Sequence, residues 1–156
     1  MSAIWQKIVY TEYLPKVVGE QMLDQFGLRP GSNLSSLYNS KVNPAVTLEF
    51  AGAAFRFGHT QVRADLPRVD NNNVNVTAPV DLGANFFYTD SVYQTGVSPF
   101  AMGMIYNPAM AADGKMSFPI RNQVFEIRNK KGSGVDLAAV NIQRGREMGI
   151  APYNTV

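Results

Sequence analysis

Apolar residues recur at helical spacing from the start of the chain. Ile4, Trp5, Ile8 and Val9 fall at i, i+1, i+4 and i+5 and form one stripe. The stripe predicts a helix that Pro15 ends or kinks near Tyr13, because proline lacks the N–H and its ring collides with the preceding turn. A short second helix is expected through Phe26. Residues 27–42, GLRPGSNLSSLYNSKV, carry the Gly, Ser and Asn content of a loop. Asn43 then suits a helix N-cap and Pro44 the first helical position. The helix they open is expected to bury Val46, Phe50, Ala53, Ala54 and Phe57. Its small residues Ala51, Gly52, Ala53 and Ala54 admit a close neighbour. Another helix is the usual one and a flat cofactor the rarer one.

The second half is less periodic. DLPRVDNNNVNVTAPVDL (65–82) reads as irregular, with one or two short strands around Val74 and Val76. NFFYTDSVYQTGVSPFAMGMIYN (85–107) reads as helical pieces broken by Gly and Pro, and Asp113-Gly114 as a turn. FPIRNQVFEI (118–127) predicts a helix and NKKGSG (129–134) a solvated loop. VDLAAVNIQRGREMGIAPYN (135–154) has helical spacing, opposed by Gly145, a weak helix former. No internal repeat and no sustained two-residue alternation is present. The fold class expected is mainly α with long irregular loops.

Composition narrows the chemistry. The 156 residues are 46% hydrophobic and 17% charged, enough for a core. A net charge of +2, without a Lys/Arg cluster, argues against nucleic acid. With no cysteine, these residues hold no disulfide, zinc–thiolate site, iron–sulfur cluster or thiol nucleophile. The opening MSAIWQKIVY lacks the pattern of a signal peptide, and no apolar run approaches the roughly 18 residues of a membrane span. Asn33-Leu34-Ser35 and Asn75-Val76-Thr77 are N-glycosylation sequons, which lend slight support to a secreted protein.

AGAAFRFGHTQV (51–62) holds the only histidine, His59, with Arg56 one turn before it. Imidazole is a common metal ligand, and a ligating ring usually gives its other N–H to a nearby acceptor. In NIQRGR, Asn141 and Arg144 are also three apart. An amide to accept from the imidazole and arginines to hold carboxylates would suit the proximal side of a haem. Spacing alone leaves a second reading open, a structural histidine beside solvated arginines, and that is the commoner arrangement.

AFRFGHT (54–60) and DLAAVNIQRGREMGIAPYN (136–154) resemble signature segments of the animal haem peroxidases. WQKIVYTEYLPKVVG (5–19) resembles the family's segment around Y-x-E-Y-L-P, and NPAVTLEFAGAAFRFGHT the helix carrying the proximal ligand. The likeness runs through nearly the whole chain in order. It implies that 1–156 is a single partial domain, the C-terminal portion of a peroxidase catalytic domain holding the proximal haem half. It implies His59 as proximal axial ligand of the haem iron, Asn141 as hydrogen-bond partner of the other ring nitrogen, and Arg56 and Arg144 as partners of the haem propionates. The cofactor implied is haem b or a covalently modified haem. Calcium is possible in a full-length protein, with its ligands outside this chain.

The same resemblance implies a peroxidase that uses hydrogen peroxide to oxidise halides, phenols or other small donors, secreted or in the secretory pathway. No catalytic residue is expected here, because the distal histidine and arginine lie in segments upstream of YTEYLP. A truncated, non-catalytic adhesion or matrix-interaction module is the alternative. A neutral amide partner pulls less on the imidazole N–H than a carboxylate would, which favours a more oxidising iron. Glu147-Met148 stand where the family usually has Asp-His. Faces that pack on the absent half would be exposed, at roughly 25 cal/mol per Å². The isolated chain is therefore expected to be marginal, aggregation-prone, or dependent on a missing N-terminal segment or partner chain.

Overall fold

The computed structural model describes residues 1–29 and 38–155. They form two units, Met1–Ala45 and Val46–Val156. The fold is mainly helical, with one two-stranded sheet among the described residues.

The first unit starts with α1 (Ser2–Ile8), a π-helical stretch (Val9–Tyr13) and α2 (Leu14–Val18). Pro15 does not end the helix at Tyr13. The widened π turn precedes it, with Leu14 N–H bonded to the Val9 carbonyl, so the chain passes through the proline and stays helical. Gly19, at φ 82°, makes the turn into α3 (Glu20–Gln25), where Leu23 is buried. Within the loop expected over 27–42, residues 30–37 lie outside the described residues, as does the sequon at Asn33. The apolar stripe is largely exposed, with Trp5 at 71%.

The second unit opens with α4 (Leu48–Gly52), four residues later than Asn43 suggests. Asn43 closes a local turn by accepting from the Ala45 N–H instead. Thr47 is the cap, and its hydroxyl oxygen accepts from the Phe50 N–H. The backbone departs from α geometry at Ala53 and continues as a 3₁₀ helix, Ala54–Gln61. The expected buried face is not buried: Val46 and Phe50 are exposed, with Ala53 and Ala54, and Phe57 is half-covered. Gly52 is the buried residue of α4, and a Cβ there would come within 2.5 Å of Ile150 Cδ1 and 2.7 Å of Met148 Sδ. The small residues thus serve a close packing of chain on chain, against the segment that follows the last helix.

Two strands form a hairpin, β1 (Asp65–Val69) and β2 (Asn75–Asp81), paired antiparallel from Asp65↔Asp81 to Val69↔Asn75. The register is irregular on both sides of Arg68, next to Pro67, whose missing N–H cannot serve the ladder. Asp70 ties the turn by accepting from the N–H groups of Asn72 and Val74. Val69 and Val80 are core residues, and buried Arg68 donates from Nε and Nη2 to the Ala78 carbonyl.

α5 (Asp90–Thr95) and α6 (Ser98–Tyr106) follow, with Gly96 at φ 77° between them. α6 lies against β1, with Gly103 facing the Pro67 carbonyl. The helix expected over 118–127 stops early: α7 is Phe118–Asn122. Val124 instead forms a bridge with Val135, and Phe125 takes φ 63°. Ile120 and Val124 complete the small core. The last long element, α8 (Leu137–Glu147), forms despite Gly145, because Asp136 caps it through the N–H groups of Ala138 and Ala139.

Candidate functional site

His59, Arg56 and Asn141 meet between the 3₁₀ helix and α8. In a 3₁₀ helix residues three apart eclipse one another, so Arg56 and His59 project from one side. Asn141 reaches them from the second turn of α8. The packing of Gly52 on Met148 and Ile150 brings the two elements together.

Asn141 is the centre of the network. Its Nδ2 lies 2.9 Å from His59 Nδ1, and its Oδ1 accepts from Arg56 Nη1 at 3.2 Å. Arg56 Nε donates to the Gly52 carbonyl at 2.9 Å, at the end of α4. The sequence suggested that the amide oxygen faces the imidazole. The structure turns it the other way, because the guanidinium offers only donors and claims the oxygen. His59 Nε2 has no hydrogen-bond partner among the described residues.

Arg144 is one turn beyond Asn141 on α8 but is not hydrogen-bonded to the trio. It is exposed and pairs with Glu147 Oε2 at 2.9 Å. Three further residues matter here; the sequence marked Gly52 only as a small residue and Glu147 only as a departure from the family pattern, and gave Asp136 no role. Gly52 supplies the carbonyl that fixes Arg56, Asp136 starts the helix that carries Asn141, and Glu147 holds Arg144. Asp136 was legible, as an Asp immediately before a helical run.

Burial, and after it the Arg56 guanidinium, hold the His59 imidazolium below its ordinary pKa of 6.5. The ring is therefore neutral at neutral pH, the form that ligates a metal. Since the unfolded chain takes up the proton first, this contribution to stability is complete above pH 6.5 and is lost as pH falls below it. One histidine gives one imidazole signal, so a proton NMR titration of the chain reads this directly. The midpoint is expected below 6.5 and is expected to rise when Arg56 is replaced by methionine.

Among the described residues no group of three His, Asp or Glu side chains could hold a metal ion. The donor set instead suits a metal carried by an anionic cofactor: one neutral imidazole with a free nitrogen, flanked by an arginine.

Comparison with known proteins agrees on the family. The family model for animal haem peroxidase matches residues 1–156. Heme peroxidase 2 of Caenorhabditis elegans is 49% identical over 98% of this chain and 22% of its own length. Chorion peroxidase of Drosophila melanogaster is 35% identical over 96% of this chain and 18% of its own. The solved structure of peroxidase A from Dictyostelium discoideum superposes with a TM-score of 0.78 at 34% identity, over 96% of this chain and 26% of that one. The chain belongs to the animal haem peroxidase family. It spans about a fifth to a quarter of the length of these relatives.

Proposed function

We propose that this chain is the proximal haem-binding portion of a peroxidase that uses hydrogen peroxide to oxidise small donors. The observation that carries the reading is the Arg56–Asn141–His59 network, formed by residues 82 and 85 positions apart. His59 Nε2 would ligate the iron, Asn141 would orient the ring, and Arg56 and Arg144 would pair with the propionates. Bound haem would supply the redox chemistry. The chain's own residues fix the imidazole, keep it neutral and neutralise two carboxylates.

No second histidine is available to move the peroxide proton, so the distal groups come from elsewhere in the peroxidase. The exposed Trp5, Phe26, Phe55 and Phe118 support a companion segment that packs on these faces. A secreted location is supported by the sequon at Asn75, exposed at the start of β2, and the name of the chorion relative points the same way. No helix among the described residues is long and apolar enough to cross a membrane.

Haem titration of the chain tests the reading. One equivalent is expected to give a sharp Soret band, and a broad free-haem spectrum would refute it.

The Arg144–Glu147 pair gives a further expectation. A propionate must compete with Glu147 for the guanidinium. Glu147→Gln is expected to tighten haem binding about 1.4- to 5-fold at low salt, since exposed pairs are worth roughly 0.2–1 kcal/mol, and the gain is expected to shrink as salt is added. The same titration repeated at two ionic strengths measures both effects.

A further inference from the structure

α8 ends in a defined cap. The Gly149 N–H donates to the Arg146 carbonyl at 3.1 Å, and the Ile150 N–H to the Gly145 carbonyl at 3.0 Å. Such a pair of bonds closes a helix and fixes the residues on either side of the glycine. Those residues are Met148 and Ile150, and both lie on Gly52. A Cβ on Gly52 would come within 2.7 Å of the Met148 sulfur and 2.5 Å of Ile150 Cδ1. Gly52 is buried, and its carbonyl accepts from Arg56 Nε at 2.9 Å. Arg56 in turn donates to Asn141. The Met148 thioether is therefore one packing contact from the Arg56–Asn141–His59 network. It is also reachable from solvent, since the residue is 40% exposed.

Hydrogen peroxide converts a reachable thioether to a sulfoxide. A sulfur lone pair forms the new S–O bond as the O–O bond breaks. The hydroxide that leaves takes the proton of the transferred hydroxyl and becomes water. Sulfur is oxidised by two electrons and the peroxide is reduced by two. The product is polar where the thioether was apolar. An oxygen turned toward Gly52 would meet backbone, with no side chain to yield. An oxygen turned toward water draws the sulfur off Gly52 and uncovers Ile150. Either way, the contact that seats the end of α8 on α4 is weakened.

We infer that Met148 is an oxidation site through which hydrogen peroxide weakens the chain's own haem-binding side: its sulfoxide loosens α8 from Gly52, and with it the hold on Arg56. The change is reversible, because methionine sulfoxide reductases restore the thioether. That the peroxide is the protein's own substrate rests on the peroxidase reading above. The response of the fold does not.

The test compares the chain with Met148→Leu, which keeps the volume and removes the sulfur. Both are treated with hydrogen peroxide in the absence of haem, and sulfoxides are located by peptide mass. Other exposed methionines, such as Met104, are oxidised in both and cancel. The parent is expected to gain oxygen at Met148 and to lose about 2–4 °C more of Tm than Met148→Leu, the shift of one ordinary packing contact at this chain length. Sulfoxide reductase is expected to return that loss. Haem added after the peroxide is removed is expected to bind the oxidised parent roughly 3- to 10-fold more weakly than the oxidised variant, less than the 10- to 100-fold of an outer partner lost outright.

An unmodified Met148 beside an oxidised Met104 overturns the inference. So does a Met148 sulfoxide that leaves parent and variant equal in Tm or in haem affinity. Should Met148→Leu fail to fold, the parent alone decides: its Tm is expected to fall in step with the sulfoxide at Met148, and a fall in step with Met104 instead overturns the inference. Failure of haem binding shows separately, as an untreated chain that binds no haem. That result refutes the peroxidase reading and leaves the Tm comparison to decide whether oxidation loosens α8.

Discussion

Replacing His59 with alanine is expected to abolish the Soret band of the haem-loaded chain. The predicted loss in haem affinity exceeds about 100-fold, beyond the 10- to 100-fold that outer partners of a metal ligand are worth. No other imidazole and no thiolate is present to substitute for it. The fold is expected to survive. His59 is only half-buried and makes one side-chain hydrogen bond, to Asn141, so the change in unfolding free energy is expected to stay within about 1 kcal/mol. Optical titration and circular dichroism on the same samples separate lost ligation from lost structure. Asn141→Leu is expected to behave differently, weakening haem binding without abolishing it.

The largest effect on stability is expected at Gly103, which carries no chemistry. A Cβ there would run into the Pro67 carbonyl oxygen, a backbone atom that cannot turn aside. Either α6 or β1 must move, and overpacking of this kind costs about 1–3 kcal/mol. At this chain length that lowers Tm by about 2–4 °C per kcal/mol. The consequence reaches the site. The Met110 N–H, just beyond α6, donates to the Gln61 carbonyl at the end of the 3₁₀ helix that carries His59. Gly103→Ala is therefore expected to weaken haem binding as well as lower Tm. Gly145 is the contrast. It sits inside α8 with nothing within 4 Å of a built Cβ, and alanine there is expected to stabilise the chain by about 0.5–1 kcal/mol. Thermal unfolding of the two variants checks the pair.

Local chemistry was legible where one residue decides the outcome. Gly96 breaks α5 from α6, and Asp113 closes its turn by accepting from the Lys115 N–H. Elsewhere a competing interaction decided. Asn43 has cap chemistry, but its oxygen is used by Ala45 and the helix waits for Thr47. Pro67 hid β1, because a proline argues against a strand until an irregular register accommodates it. Helical spacing over FPIRNQVFEI was overridden by the bridge from Val124 to Val135, a tertiary pairing that periodicity cannot contain. The apolar face of α4 and its neighbours gave a clean stripe, yet burial depends on what covers a face.

The site shows the same limit more sharply. Arg56 and His59 share a side because of their three-residue spacing, and Asn141 and Arg144 share a turn of α8. Spacing suggested that the two pairs meet but left a structural histidine beside solvated arginines as the commoner reading, and the family resemblance favoured the meeting. Spacing could not tell which end of the Asn141 amide faces the ring. That choice follows from Arg56 claiming the oxygen, a fact of three dimensions.

One measurement bears most directly on the role of His59. Growing the chain with 15N-histidine labels a single residue. In the haem-loaded chain, the electron paramagnetic resonance hyperfine splitting from the axial nitrogen is expected to change from a 14N to a 15N pattern, in the parent and not in His59→Ala. A 14N pattern that persists unaltered in the labelled parent would mean that the iron is held by some other atom.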